Sequence, residues 1–207
     1  MMGQRAQDFF ILGCFQLLSD KGDAMLSYKI DEETLLRLPE ERYLDEAYAL
    51  VMENLEHLKA WSTWARDDFS IEDARSFIKT NLQNFAERKG FTLHIIYQGK
   101  HVGNVGYNTI DWANKRTEIG YWLSASAQGK GLMTKACRAL VNHAFNELQL
   151  NRVEINCAVE NSRSRRIPEK LGFKQEGIMR EAEWLHDHFH DLVAYSMLAS
   201  EWKLQNL

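Results

Sequence analysis

The stretch "SASAQGKGLMTKA", Ser124 to Ala136, puts two glycines one residue apart around Lys130, just where an amphipathic helix begins. Glycine is a poor helix residue, so Gly129 and Gly131 need a reason to sit there. The unpaired backbone N–H groups of a helix start, together with the positive end of its dipole, favour an anion. Small residues let the backbone approach that anion closely. A phosphate or pyrophosphate is the expected ligand. Two phosphate-binding patterns fail on the residues. A Walker-type loop needs Lys followed by Ser or Thr, and Lys130 is followed by Gly131. A dinucleotide fingerprint needs a third glycine at Thr134 and an acidic residue about 20 residues on at the end of a strand, and neither is present.

The elements that must position this loop follow from hydrophobic period. "RTEIGYWLS" reads as the strand leading in and "GLMTKACRALVNHAFNEL" as the helix leading out, with Leu132, Ala136, Leu140 and Phe145 on its apolar side. "NRVEINCAVE" is the next strand. Such a strand–helix–strand unit is nearly always right-handed. Upstream, residues 41–61 read as one helix. Residues 70–90 read as another, with Ser70 as N-cap, Asp73 three residues on and Gly90 as its stop. "FTLHIIYQ" and "HVGNVGYN" are strands joined by a turn at Gly99-Lys100. Downstream come a short helix in "SRSRRIPEKLGF" and two strands between Lys174 and Ala199. The class is α+β with one mixed sheet.

Composition bounds the setting. A chain of 207 residues supports one sizeable core with an appendage. The net charge of −4 gives nucleic acid no electrostatic footing. Cys14, Cys137 and Cys157 are odd in number and lack C-x-x-C spacing, which suits a reducing, cytoplasmic setting without disulfides or zinc. The apolar run in "DFFILGCFQLL" is far shorter than the roughly 20 residues of a membrane span, and no cleavage site follows it. We therefore read residues 1–24 as an extension, docked or disordered, and residues 25–207 as the domain, with Met25 a candidate initiator. His186, His188 and His190 alternate as strand residues do and could line up as metal ligands.

Beyond its glycines, Gln128–Met133 resembles the Q-x-x-G-x-[GA] coenzyme A loop of the GNAT acetyltransferases, with Met133 at the position usually held by Gly or Ala. "EIGYWLS", "NRVEINCAVENSRSRRIPEKLGFKQEG" and "REAEWLHDHFHDLVAYSML" extend the likeness to the RimJ/RimL-type branch, the ribosomal-protein N-terminal acetyltransferases, from about Met25 to Trp202. The resemblance implies a single V-splayed seven-stranded sheet flanked by helices, with acetyl-CoA lying where two parallel strands part. It also implies direct acetyl transfer in a ternary complex. Tyr121, Trp122 and Leu123 would flank the pantetheine, and Gln128, Gly129, Lys130, Gly131, Leu132, Met133 and Thr134 would hold the pyrophosphate. Asn161 would bond the pantetheine or neighbouring backbone, and Ser164 would lie near the thioester sulfur as a proton donor.

The same resemblance places Glu183 and Glu118 near the cleft as the candidate bases, with Glu183 preferred. Arg163, Arg165 and Arg166 crowd a helix start where positive charge opposes the dipole, which suggests an anion such as the 3′-phosphate of coenzyme A. Pro168 removes the helical bond to the Ser164 carbonyl, so that helix either starts late or kinks. The expected acceptor is a primary amine, foremost the α-amine of a (ribosomal) protein. A small amine (polyamine or aminoglycoside) and a non-catalytic acyl-CoA sensor are the alternatives. The acceptor pocket should involve Trp61 and Trp64. No metal, membrane or direct nucleic-acid partner is expected, and the pattern is compatible with a homodimer.

Overall fold

The computed structural model describes residues 16–20 and 23–205. Residues 1–15, with Cys14 and most of the N-terminal apolar run, lie outside the described residues. Nine strands form one sheet: β1 (Gln16–Asp20), β2 (Asp23–Lys29), β3 (Thr34–Arg37), β4 (Phe91–Tyr97), β5 (Lys100–Asp111), β6 (Arg116–Leu123), β7 (Arg152–Ala158), β8 (Lys174–Leu185) and β9 (His188–Leu198). Their order is β1-β2-β3-β4-β5-β6-β7-β9-β8. Every pairing is antiparallel except β6 with β7. The expectation of seven strands is corrected to nine among the described residues. β1 adds an edge strand by pairing along β2 from Gln16–Ser27 to Asp20–Asp23. Because β2 runs through Met25, the expected boundary falls inside a strand.

Six α-helices complete the described chain: α1 (Leu44–Glu53), α2 (Leu55–Lys59), α3 (Ile71–Ala86), α4 (Leu132–Asn146), α5 (Ser162–Lys170) and α6 (Ala199–Gln205). None is long and apolar enough to cross a membrane. The helix expected over 41–61 is in fact broken at Asn54. That buried side chain donates to the Leu50 carbonyl at 2.8 Å and accepts from the Ala125 N–H at 3.0 Å. α3 starts as its sequence dictates, with Ser70 and Asp73 forming a reciprocal capping box.

Alternation along β6 shows how the helices are distributed. Tyr121 reaches Ser164 of α5, whereas Trp122 packs with Val51, Leu58 and Ala65. α1 and α2 therefore cover one face of the sheet, and α5 lies on the other. The main core lies between α4 and the sheet and includes Leu93, Ile95, Val105, Ala136, Val141, Ile155 and Met197.

One buried polar feature sets an acid limit on stability. His94 and His101 stack at 3.9 Å under Arg37, which is ion-paired to Glu46 at 2.7 Å. Burial pushes both imidazoles below their ordinary pKa, His94 well below, and for His94 the neighbouring His101 and Arg37 add to the effect. Both rings are therefore neutral in the fold. The unfolded chain binds their protons first as pH drops through about 6.5. Stability is fully retained above that value and falls below it, by up to about 1.4 kcal/mol per pH unit for each ring. Carboxylates lowered to about 2, such as Asp73 and Glu176, weigh in only below about pH 4. The melting temperature should therefore decline between pH 6.5 and pH 5, and His94→Gln should flatten that slope. A melting temperature flat across this window would contradict the assignment.

Candidate active site

β6 and β7 are paired only at Arg116–Arg152, Thr117–Val153 and Glu118–Glu154. Beyond Glu118 the two strands part. On its other side β6 stays paired to β5 through Tyr121–Val105, Trp122–Asn104 and Leu123–Gly103. The edge of Tyr121–Leu123 that faces β7 is consequently unpaired and can take an added strand-like ligand. This V-shaped opening leads into a cavity of about 1390 Å³. Its walls include Tyr121, Trp122 and Leu123, the loop residues Gln128, Gly129 and Gly131, the α4 start Leu132–Thr134, Asn161 and Ser164, and both Glu118 and Glu183. Trp61 and Trp64 also line it. Lys130 is not among the lining residues; its ammonium lies 5.1 Å from the Tyr97 ring centroid.

The loop is built for close approach. Gly129 and Gly131 adopt φ of +79° and +75°, in the left-handed region that side chains strain to occupy. A Cβ at either would meet nothing within 4 Å, so the space over both is open. Gly131 caps α4 without any side-chain bond, leaving the first turn to an external acceptor. Met133 is buried in the main core, which removes its bulk from the loop surface. Gln128 holds the loop from three sides: its amide contacts His57 of α2 at 3.0 Å and the Leu123 carbonyl at 3.5 Å, and its oxygen accepts from Arg163 at 2.9 Å.

At the root of the V, Ser164 and Tyr121 interlock. The Ser164 hydroxyl donates to the Tyr121 oxygen at 3.2 Å and lies 3.2 Å from Cys157 Sγ. The Tyr121 hydroxyl donates to the Ser164 carbonyl at 3.0 Å. That carbonyl is the one Pro168 deprives of its helical donor. α5 starts at Ser162 with Pro168 inside it, and the phenol fills the gap. Asn161 caps α5 through the Ser164 N–H at 3.0 Å, which is the backbone role of its two expected ones. Burial raises Tyr121 well above the ordinary phenol range and raises the Cys157 thiol too, so both stay protonated. A thiol held that way is a poor nucleophile.

The two glutamates stand differently. Burial raises the pKa of Glu118; the Asn108 and Asn156 amides oppose this, and the charges of Glu154 and Glu183 reinforce it. Asn108 Nδ2 donates to Glu118 at 3.0 Å. Glu183 pairs with His190 in the ladder just after an irregularity that follows Met179. There Glu181 takes φ +50° and its N–H is held by Asp191 at 2.8 Å. Such a bulge re-aims the side chains beside it. The Glu183 carboxylate is half-buried, lines the cavity and has no hydrogen bond or ion pair among the described residues.

Not every expected residue converges. Arg165 turns away to the Tyr195 hydroxyl at 3.1 Å and the Val159 carbonyl at 3.0 Å, which corrects its place beside Arg163 and Arg166. The three histidines do not form one cluster: the rings of His188 and His190 lie 4.5 Å apart, with His188 on Asp187 at 2.6 Å and His190 facing Glu160 at 3.7 Å, whereas His186 meets the Lys59 carbonyl at 2.9 Å. Asn54, His57, Asn108 and Asn156 carry no motif that marks them in the sequence: Asn54 and His57 meet Ala125 and Gln128, each 71 residues away, while Asn108 and Asn156 meet Glu118 from the strands on either side of it.

A parallel pair that splays beside a glycine-capped helix start, with carboxylates in the same cavity, is the arrangement of an acyl-CoA-dependent transferase. The model of the acetyltransferase (GNAT) domain matches residues 33–174, and the chain belongs to this family of N-acetyltransferases. Among curated relatives, YdaF of Bacillus subtilis (strain 168) is 36% identical over 180 residues, covering 86% of this chain and 98% of that protein. The ribosomal-protein-serine acetyltransferase of Escherichia coli (strain K12) is 30% identical over 170 residues, covering 82% and 95%. Among solved structures, RimL, a ribosomal L7/L12 alpha-N-protein acetyltransferase, superposes with a TM-score of 0.83 at 27% identity, covering 88% and 99%. The microcin C7 self-immunity acetyltransferase MccE, in complex with acetyl-CoA and AMP, does so with 0.79 at 33% identity, covering 83% and 95%.

Proposed function

We propose that the protein transfers acetyl from acetyl-CoA directly to the N-terminal α-amine of a protein, a ribosomal protein foremost, within a ternary complex. The observation that carries this reading is the single cavity that joins the Gly129–Gly131 loop and the free edge of Tyr121–Leu123 to two carboxylates. The naming of relatives for ribosomal-protein and α-amino acetylation supports the choice of acceptor.

In this reading the pyrophosphate lies on the Gln128–Thr134 backbone and the pantetheine pairs along the open edge of β6. The acceptor enters on the face covered by α1 and α2, past Trp61 and Trp64. Glu118 and Glu183 together attract the ammonium form of the amine. Glu183, whose lone pairs are free, takes its proton, while Glu118 is held in place by hydrogen bonds from the Asn108 and Asn156 side-chain amides. The neutral nitrogen attacks the thioester carbonyl, the C–N bond forms and the C–S bond breaks. The departing thiolate takes a proton from Ser164, and the second proton, shed by the nitrogen as it becomes the amide, passes through solvent to restore the Ser164 hydroxyl. An α-amine, with a pKa near 8, needs less help to lose its proton than a lysine near 10.4, so one partly desolvated carboxylate suffices.

The test is acetyl-CoA turnover against peptides and small amines, followed by location of the acetyl group. Absence of turnover with every amine would leave acyl-CoA binding alone and overturn the proposal.

A further inference from the structure

Beside the open end of the V, three side chains stand in a row across the neighbouring β7, β9 and β8. In the ladder of β8 with β9, His190 lies directly opposite Glu183. Opposite residues of an antiparallel pair share a face, with Cβ atoms about 5 Å apart. On the other side of β9, the ladder with β7 ends at Ala158–Leu192, and the Val159 N–H still donates to the Asp191 carbonyl at 3.0 Å. That register carries Glu160, in the turn after β7, up to His190, where its Oε2 lies 3.7 Å from Nδ1. His190 therefore stands between two carboxylates that both line the cavity. The imidazole is itself an anomaly. Its side chain is only 11% exposed, and its Nε2 is buried without a hydrogen-bond partner among the described residues. A buried nitrogen left unpaired is costly, so its place here needs a reason. The groups that face it are Glu183 from β8, Glu160, the His188 ring at 4.5 Å on β9 itself, and the uncharged Trp61 ring, edge-on at 6.5 Å. His188 is already held by Asp187 at 2.6 Å.

We infer that His190 is a positioning residue that acts through Glu183, passing the proton that Glu183 takes from the amine on to Glu160 and solvent. This rests on the reading of Glu183 as the base. Acetyl transfer to an ammonium releases one proton overall, and Glu183 must lose that proton before the next turnover. A neutral imidazole accepts at one nitrogen and donates at the other. With Nδ1–H toward Glu160, the Nε2 lone pair takes the proton of the Glu183 carboxyl, directly or through one water. The imidazolium then gives its Nδ1 proton to the Glu160 carboxylate, which is 64% exposed and passes it to water. Glu183 is again an anion, and exchange with water after the products leave restores the starting tautomer. Imidazole suits the step because its ordinary pKa, about 6.5, lies between those of a carboxyl and an α-amine.

The experiment is steady-state turnover of the full chain with acetyl-CoA and a ribosomal-protein N-terminal peptide, in light and in heavy water. His190→Gln should lower kcat about ten-fold, less than the loss of the base itself, with both KM values held within about two-fold. Its rate should also become more sensitive to heavy water, because proton exit then limits turnover. His190→Ala leaves room for a free ring, so added imidazole should restore much of its rate. On a Glu183→Gln background, His190→Gln should cost little more, since the proton no longer passes that way. Unchanged kcat in both His190 variants would overturn the relay. So would a loss that imidazole does not relieve and heavy water does not enlarge, which is the mark of packing against Trp61 alone. A full ten-fold loss on the Glu183→Gln background would overturn the relay and leave the base in place. Full activity of Glu183→Gln alone would remove the base reading and the relay with it, and no turnover by the unmodified protein would remove the transferase reading as well.

Discussion

Glu183→Gln is expected to lower kcat by about 10²–10⁴-fold, the usual scale for losing general base catalysis, while coenzyme A affinity hardly changes. The carboxylate has the geometry for the task. It lines the cavity beside the β8 irregularity and has no hydrogen bond or ion pair among the described residues, so its lone pairs are open to an incoming ammonium. Gln keeps the shape and removes the proton acceptor. Raising the pH toward the amine's own pKa should restore part of the rate, because more acceptor then arrives neutral. Glu118→Gln is the comparison. Burial raises Glu118, which favours it as a base, yet Asn108 and Asn156 already occupy it. Its loss should therefore cost less, chiefly through KM, by weakening attraction of the cation. If Glu118→Gln gives the larger fall in kcat with the pH rescue, the roles are reversed. If neither change slows turnover, proton loss to water precedes binding.

Gly131→Val is expected to weaken coenzyme A binding by about 10- to 100-fold with the fold intact. A β-branched residue at φ +75° carries about 1–2 kcal/mol of backbone strain, enough for roughly ten-fold when binding demands that conformation. Its side chain would also stand in the open space over the first turn of α4, where the pyrophosphate is placed. Because a Cβ there meets nothing within 4 Å, the change costs the fold that backbone strain alone, about 2–8 °C of melting temperature, with no clash added. Circular dichroism should therefore match that of the unmodified protein, and melting should stay cooperative with only that modest drop. Calorimetry showing unchanged affinity in a folded variant would remove this loop from the cofactor site.

The features legible in the sequence are those whose causes are local. The Ser70–Asp73 capping box, the Gly99 turn between β4 and β5, and the glycine pair before α4 each depend on residues within a few positions of one another. What could not be read depends on contacts distant in sequence. The helix break at Asn54 is fixed by the Ala125 N–H, 71 residues away. Arg165 looked like part of the basic run until Tyr195 drew it off the cleft. β1 adds an edge to β2 in a segment without a clear strand alternation, which accounts for one of the two strands beyond the seven that the resemblance implied. Pro168 was visible as an anomaly, but its use was not: the carbonyl it frees accepts the Tyr121 hydroxyl across the V. The aim of Glu183 depends on a register shift against β9 that no single-strand pattern reveals.

The most direct test of the central claim is incubation with acetyl-CoA and a panel of ribosomal-protein N-terminal peptides, polyamines and aminoglycosides, read by mass spectrometry that places the acetyl group. The account predicts acetyl on the α-nitrogen of a peptide, with turnover rising as pH approaches the α-amine pKa near 8. Acetylation confined to small amines or to lysine ε-nitrogens, with every peptide α-amine untouched, would contradict it.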